Sequence, residues 1–343
     1  MILTKKIEQA LSERITGGYY SDGEKLPSLR ELSDEFNASY VIVSRAVQAL
    51  KAEGLVATCP GRGTFAVRSR SPLHYFQSRR ICFVFADPQS NPREEYQLEL
   101  YSIMQKLIRE RGFIDVALQC SDARIDEPET LAGAIIVHRS ELLPLLRAHG
   151  VPVVGCSGAG ELPYSSVVPD FYRGSYDMTR YLAGLNHRKI IFVMPSESDN
   201  AGSFGMRLQG YRDAMADCGL PALPPVQWHS MTHRSEIRAL LESPERPDAL
   251  FVANDVMAIE IMQLAEMLRL SVPDDISIAG LENMHRSTLS TPQLTTAGYD
   301  KRLLAEECVK LLFEHIDNRN VGVTARKVPM ELIVRGSTAE KRQ

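Results

Sequence analysis

Apolar positions in the first fifty residues recur at helical spacing. Ile7, Leu11 and Ile15 form one stripe of an amphipathic helix that stops near Gly17-Gly18. In LPSLRELSDEF, Ser28 and Glu31 form a capping box just after Pro27, and Leu29, Leu32 and Phe36 make a second stripe. A third helix is predicted from the N-cap Ser39. Its core side would carry Val43, Ala46, Val47 and Leu50, and its opposite side Val41, Ser44, Arg45 and Gln48. EGLVATCPGRGTFAV then gives two short apolar runs joined by Pro60-Gly61-Arg62-Gly63, the pattern of a hairpin. Three short helices followed by a basic-tipped hairpin is a winged helix-turn-helix plan. The third helix would enter a major groove, with the hairpin along the backbone or minor groove.

From Ile81 the rhythm changes. Short β-rich runs (ICFVFA, GAIIV, VPVVGC, KIIFVM, DALFVA, DISIAGL) stand beside helix-like segments. Such alternation predicts an α/β fold of parallel sheets with helices on both faces. The number of elements suggests two lobes, with a ligand between them or at strand carboxyl ends. Residues 68–80, RSRSPLHYFQSRR, lack periodicity and read as a basic linker that would stay near phosphates.

Composition adds a charge asymmetry. Residues 1–80 carry 12 Lys+Arg against 8 Asp+Glu, a balance of +4, whereas the rest of the chain is at −8 within a total of −4. A basic segment on an acidic body suits a nucleic-acid module joined to another kind of domain. The six cysteines never form CxxC, which argues against a disulfide framework or zinc ribbon and for a reducing compartment. No export signal and no long apolar run is evident, so a cytoplasmic protein without membrane attachment is expected. Phosphate-loop, dinucleotide, zinc-protease and nucleophile-elbow motifs are missing, and no cofactor, metal or enzymatic activity is expected. His187 and His229 read as surface or capping residues rather than ligands.

The segment LPSLRELSDEFNASYVIVSRAVQALKAEGLVATCPGRGTFAV resembles the DNA-binding domain of the GntR family of bacterial regulators, over residues 3–67. The resemblance implies DNA contacts at Arg30, at Ser39, Tyr40, Val41, Ile42 and Ser44, and at the wing residues Gly61, Arg62 and Gly63. Many members have Arg-Thr-Thr where this chain has Tyr40-Val41-Ile42, and an arginine at Ser44. Two readings stay open: Val41 and Ile42 pack the helix onto its domain, or Val41 and Tyr40 touch thymine methyls. Arg45 would then take over a base or phosphate contact.

RLQGYRDAM (Arg207–Met215), LFVANDVMAIEIMQLAEMLRLSVPDDISIAGLEN (Leu250–Asn283), STPQLTT (Ser290–Thr296) and ELIVRGST (Glu331–Thr338) resemble the effector domain of LacI/GalR regulators. That domain is similar to periplasmic sugar-binding proteins. The resemblance covers residues 81–338 and implies a two-lobed, periplasmic-binding-protein-like, dimeric sensor of a small molecule such as a sugar or nucleobase. Arg207, read as starting a helix that faces the cleft, has a planar fork suited to paired hydroxyls or a carboxylate. Asn254 and Asp255 stand at a strand's carboxyl end and suit hydroxyls, although Asp255 could equally cap the next helix. Glu282 occupies a position usually held by aspartate and would narrow the pocket. Gln89, Asn91 and Arg93 lie on a loop facing the same cleft. Trp228 is read either as a stacking platform for a sugar ring or as packing, and Asp170 as a helix cap. The division expected is therefore 1–67 DNA-binding domain, 68–80 linker and 81–338 effector-binding and dimerisation domain. The function expected is a homodimeric repressor of carbohydrate-utilisation genes, with operator DNA and a sugar-like effector as partners. A sugar-binding transport or chemoreception protein, or an α/β sugar-processing enzyme, is the alternative. The linker lacks the leucine-rich basic hinge helix usual in LacI-type proteins, which implies a different coupling route.

Overall fold

A computed structural model describes residues 2–21, 23–59, 63–67, 79–85, 94–119, 125, 127–137, 142–156, 164–195, 202–228, 235–318 and 322–341. The N-terminal module follows the hydrophobic stripes. α1 (Ile2–Thr16) buries Ile7, Leu11 and Ile15, and α3 (Tyr40–Ala52) buries Val43, Ala46, Val47 and Leu50 against them. α2 (Leu29–Glu35) starts on a complete capping box: the Glu31 amide donates to the Ser28 hydroxyl, and the Ser28 amide donates to the Glu31 carboxylate. Asn37 takes a left-handed φ of 45° in the turn into α3, a conformation that Asn tolerates better than most residues. β1 (Val56–Cys59) and β2 (Gly63–Ala66) pair antiparallel as the wing, and Phe65 buries its ring at their base.

Two six-stranded sheets build the larger body. The first lobe has the order β13-β7-β6-β5-β3-β4, all parallel: β3 (Arg80–Phe85), β4 (Ile114–Gln119), β5 (Leu131–Ile136), β6 (Val153–Cys156), β7 (Ser165–Pro169) and β13 (Ala325–Val328). The second has the order β14-β12-β11-β10-β8-β9: β8 (Ile190–Pro195), β9 (Val226–Trp228), β10 (Ala249–Val252), β11 (Ser277–Leu281), β12 (Thr295–Tyr299) and β14 (Met330–Ile333). Here only β14 runs antiparallel. The inner strands are buried along their whole length, as strands covered by helices on both faces must be.

The chain crosses between lobes three times. β7 leads into α6 (Phe171–Gly184), which packs on the second sheet; β12 leads into α11 (Lys301–Asp317), which packs on the first; β13 leads into β14. An aspartate caps the helix at both strand-to-helix crossings. Asp170 accepts from the Arg173 amide, and Asp300 accepts from the amides of Arg302 and Leu303. The third crossing is Val328-Pro329-Met330. One hydrophobic cluster runs through the crossings, joining Phe83 and Ile135 of the first lobe to Phe192 and Phe251 of the second. α4 (Glu94–Glu110) and α11 cover one face of the first sheet, and the short α5 (Leu143–Ala148) packs on the other. α7 (Gly202–Asp217) lies beside α6 so closely that a side chain at Gly210 would strike the Tyr172 carbonyl at 2.3 Å. α8 (Ser235–Glu242) and α9 (Asp255–Met267) cover the opposite face of the second sheet, and the short α10 (Arg286–Leu289) lies between β11 and β12. Among the described residues, no helix is long and apolar enough to cross a membrane.

Candidate functional site

The wing and the start of α3 form one exposed surface candidate. Tyr40 and Val41, at its tip, are 54% and 57% exposed. Arg30, Ser39 and Arg45 are exposed and Ser44 is half-buried. Ile42 packs against the module's core, so the packing reading holds for Ile42 and not for Val41. Ser39 occupies the N-cap without a side-chain cap bond, which leaves its hydroxyl for another acceptor. Gly63 holds φ at 122°, and a Cβ there would lie 2.7 Å from the Lys25 side chain. Lys25 itself bridges Phe65 through its backbone and so lies along the wing. Sequence reading passed it over; its only signal was a lysine two residues before Pro27. Gly61 and Arg62 lie outside the described residues.

In the second lobe, side chains from several strand ends gather round Arg207. Arg207 is the sixth residue of α7, one and a half turns inside the helix rather than its start. It is 1% exposed. Its Nη2 donates to Glu282 Oε1 at 2.7 Å and its Nη1 to the Ala253 carbonyl at the end of β10. The guanidinium lies 4.0 Å from the centroid of Phe171 and 4.9 Å from that of Phe204, so a flat cation is held between two rings. Glu282 follows β11 at φ 108°, a left-handed conformation that turns its carboxylate onto the arginine. A buried charge pair of this kind persists only because each member has the other and further hydrogen bonds. Tyr96 of α4 reaches across from the first lobe and meets Tyr299 edge-on, at 6.3 Å between centroids. Burial pushes the Tyr299 hydroxyl up, and the neighbouring Glu282 carboxylate adds to the rise. Phe171, Phe204, Tyr96 and Tyr299 were not singled out in the sequence, because aromatic residues of a core and of a ligand wall look alike there.

The other candidates separate. Asn254 caps α9: its Oδ1 accepts from the Met257 amide at 2.9 Å, and its Nδ2 donates to the Met257 sulfur at 3.1 Å. Asp255 is neither a cap nor a cleft residue. It is wholly buried and accepts from the Met284 amide, the Ser287 hydroxyl and the Thr296 hydroxyl, fastening the loop after β11. Trp228 is 3% exposed and packs in the cluster under α8 and α9, with its indole N–H on Glu260 at 3.0 Å. That cluster covers the sheet face opposite α6 and α7, so the stacking-platform reading fails and packing replaces it. His187, expected at the surface or in a cap, is buried, and burial lowers its pKa. Asp170 caps its helix as expected. Gln89, Asn91, Arg93 and His229 lie outside the described residues. Among the described residues, no group of three or more His, Cys, Asp or Glu could hold a metal ion.

Comparison with known proteins divides along the same lines. Residues 3–66 match the family model of bacterial regulatory proteins of the gntR family, and residues 179–338 match that of the periplasmic binding protein-like domain. The HTH-type transcriptional repressor CytR of Escherichia coli (strain K12) is 32% identical over 184 residues, 52% of this chain and 53% of that protein. The chain thus spans about half the length of CytR. The arabinose metabolism transcriptional repressor of Geobacillus stearothermophilus is 26% identical over 362 residues, covering 98% of this chain and 97% of that one. Among solved structures, a LacI family transcriptional regulator from Enterococcus faecium with bound ribose superposes with a TM-score of 0.66 at 22% identity, over 77% of this chain and all of that one. A CelR–cellobiose complex superposes at 0.64 and 20% identity over 91% of this chain and 100% of that one. At such identities these likenesses establish the fold. The chain therefore joins an N-terminal helix-turn-helix module similar to that of gntR-family regulatory proteins to a periplasmic-binding-protein-like body with the fold of LacI-type regulators.

Proposed function

We propose that this chain is a DNA-binding transcription repressor whose affinity for its operator is changed by a small, sugar-like effector held between the two lobes. It would act in the cytoplasm as a homodimer on two half-sites. The observation that carries this reading is the union, in one chain, of an exposed α3–wing surface with a two-lobed body in which Arg207 and Glu282 meet at the strand ends. Support comes from the relative of similar length and layout, which is named for arabinose metabolism, and from the ribose and cellobiose named in two structural neighbours.

Arg207 is the residue on which the response turns. An effector hydroxyl exchanges with one of its acceptors, and the planar fork then reads a pair of oxygens. Closure about the three crossings would alter how two protomers present their winged modules, and half-site spacing tolerates little change. Binding of the full-length protein to DNA from its own upstream region, followed by fluorescence anisotropy, tests the first part. Titrating pentoses, hexoses, their phosphates and nucleosides into that complex tests the second. Arg207→Lys should leave DNA affinity within about twofold and lower effector sensitivity at least roughly tenfold, the loss expected when one bidentate contact is removed. Full sensitivity in the variant would remove Arg207 from the effector site. Turnover of any sugar, without operator binding, would sink the repressor reading.

A further inference from the structure

An open pocket of about 490 Å³ lies beside the crossing from β12 to α11. Glu99 of α4 and Lys301 of α11 line it from elements packed on the first sheet. Asn283, Met284, His285, Thr288 and Arg335 line it from the second lobe. None of the side chains that close on Arg207 is among them. The separation arises in the backbone: Glu282 at φ 108° turns towards Arg207, and Asn283 at φ 51° then redirects the chain so that the following residues face the cavity. Its size falls in the usual range for small-molecule sites, roughly 300–1,000 Å³.

The lining carries an unbalanced positive charge. Arg335 donates Nη1 to the Leu294 carbonyl and Nη2 to Asn283 Oδ1, both neutral acceptors. Among the described residues, no carboxylate pairs with it. The ammonium of Lys301, with its side chain 15% exposed, pairs with Glu99, whose own side chain is 49% exposed. A carboxylate that exposed is held weakly and exchanges readily for a better-placed anion. Two cations from different lobes therefore face one space, with a single displaceable counter-charge. We infer that this inter-lobe cavity is a binding site for a small phosphorylated metabolite, separate from the effector cleft. Its phosphate would bridge Lys301 and Arg335. Such a ligand would tie the lobes together at the second crossing. It would also bear on the loop from Glu282 to Ser287, which Asp255 fastens from below.

Isothermal titration of the full-length protein with ribose 5-phosphate, inorganic phosphate and ribose tests this without DNA or a known effector. Ribose 5-phosphate should bind, inorganic phosphate more weakly, and ribose should not compete. Thr288→Glu places a like charge in the cavity and should weaken ribose 5-phosphate at least roughly tenfold, as should Lys301→Met. Arg207→Lys should leave this binding unchanged, which separates the cavity from the cleft. Equal binding to the parent, Thr288→Glu and Lys301→Met proteins would overturn the assignment, as would competition by ribose. Failure of both phosphates to bind at about 10 mM, well above the millimolar range of a weak site, would overturn it too. Far-ultraviolet dichroism on both variants establishes that a loss reflects the cavity and not unfolding.

Discussion

Asp255 receives three donors yet has no exposure to water, and the two facts pull its proton affinity in opposite directions. Burial is the larger effect, and with the Glu282 charge adding to it the carboxyl is pushed up to about 7 from 3.8, against the pull of Ser287, Thr296 and Met284. Between those values the folded chain holds a proton that the unfolded chain lacks. The group's contribution to stability is therefore full below pH 3.8 and is lost as pH rises through about 7. Asp255→Asn should flatten that slope. Its amide oxygen replaces the acceptor for Met284 and Ser287, and its amide N–H donates to the Thr296 oxygen, so stability should change by no more than about 1 kcal/mol at pH 6. Asp255→Ala leaves buried donors unanswered and should cost about 2–4 kcal/mol. Urea midpoints measured from pH 4 to pH 8 check both; an unchanged slope in the Asn variant would assign the pH dependence to another group. The sequence could place Asp255 at a strand end but not choose between cap, ligand and anchor. That choice depends on Met284, Ser287 and Thr296, which lie 29 to 41 positions away.

At the level of elements, α3 divides its two faces as its spacing dictates. Val43, Ala46, Val47 and Leu50 point inward because their period matches the helix, and this much was legible before any coordinates. The capping box of α2 was equally legible, since Ser28 and Glu31 carry the whole interaction within four residues. The partner of Arg207 was not, because Glu282 approaches only through a left-handed backbone turn at the end of a distant strand. Trp228 stayed open between platform and packing because composition reports a lone tryptophan but not which sheet face receives it. For DNA, the division of α3 makes separable predictions. Arg45→Ala and Arg62→Ala should weaken binding to all sequences alike and lower the salt slope by about 1 each, as loss of a phosphate contact does. Val41→Ser should instead cost about 1 kcal/mol at one thymine position and little elsewhere. Anisotropy titrations at several salt concentrations, on operator and on scrambled DNA, separate the two effects. A uniform loss with Val41→Ser would mean that the apolar tip packs against the backbone and reads no base.

Across the whole molecule, hydrophobic clusters mark what should melt together. The clusters of the winged module contain only residues up to Val67, and those of the larger body only residues from Ile81 onward. Among the described residues no buried side chain is shared between them, so these clusters give cooperativity no apolar route from one to the other. Within the larger body the reverse holds, because one cluster contains strands of both lobes and passes through the crossings. Scanning calorimetry of the full-length protein should therefore show two transitions, a small one for the module and a large one for both lobes together. Ser28→Ala removes half of the capping box and about 1 kcal/mol, enough to lower the small transition by roughly 4–8 °C and leave the large one in place. A cleft ligand at about 100 times its Kd adds roughly 2.7 kcal/mol and should raise only the large transition. If the Ser28→Ala variant shifted both transitions together, the module would be coupled to the lobes through contacts outside these clusters. In that case the route by which an effector reaches the DNA-binding surface would run through the folded body itself. Independent shifts would instead place the coupling in the dimer, where two closed bodies set the distance between two otherwise autonomous winged modules.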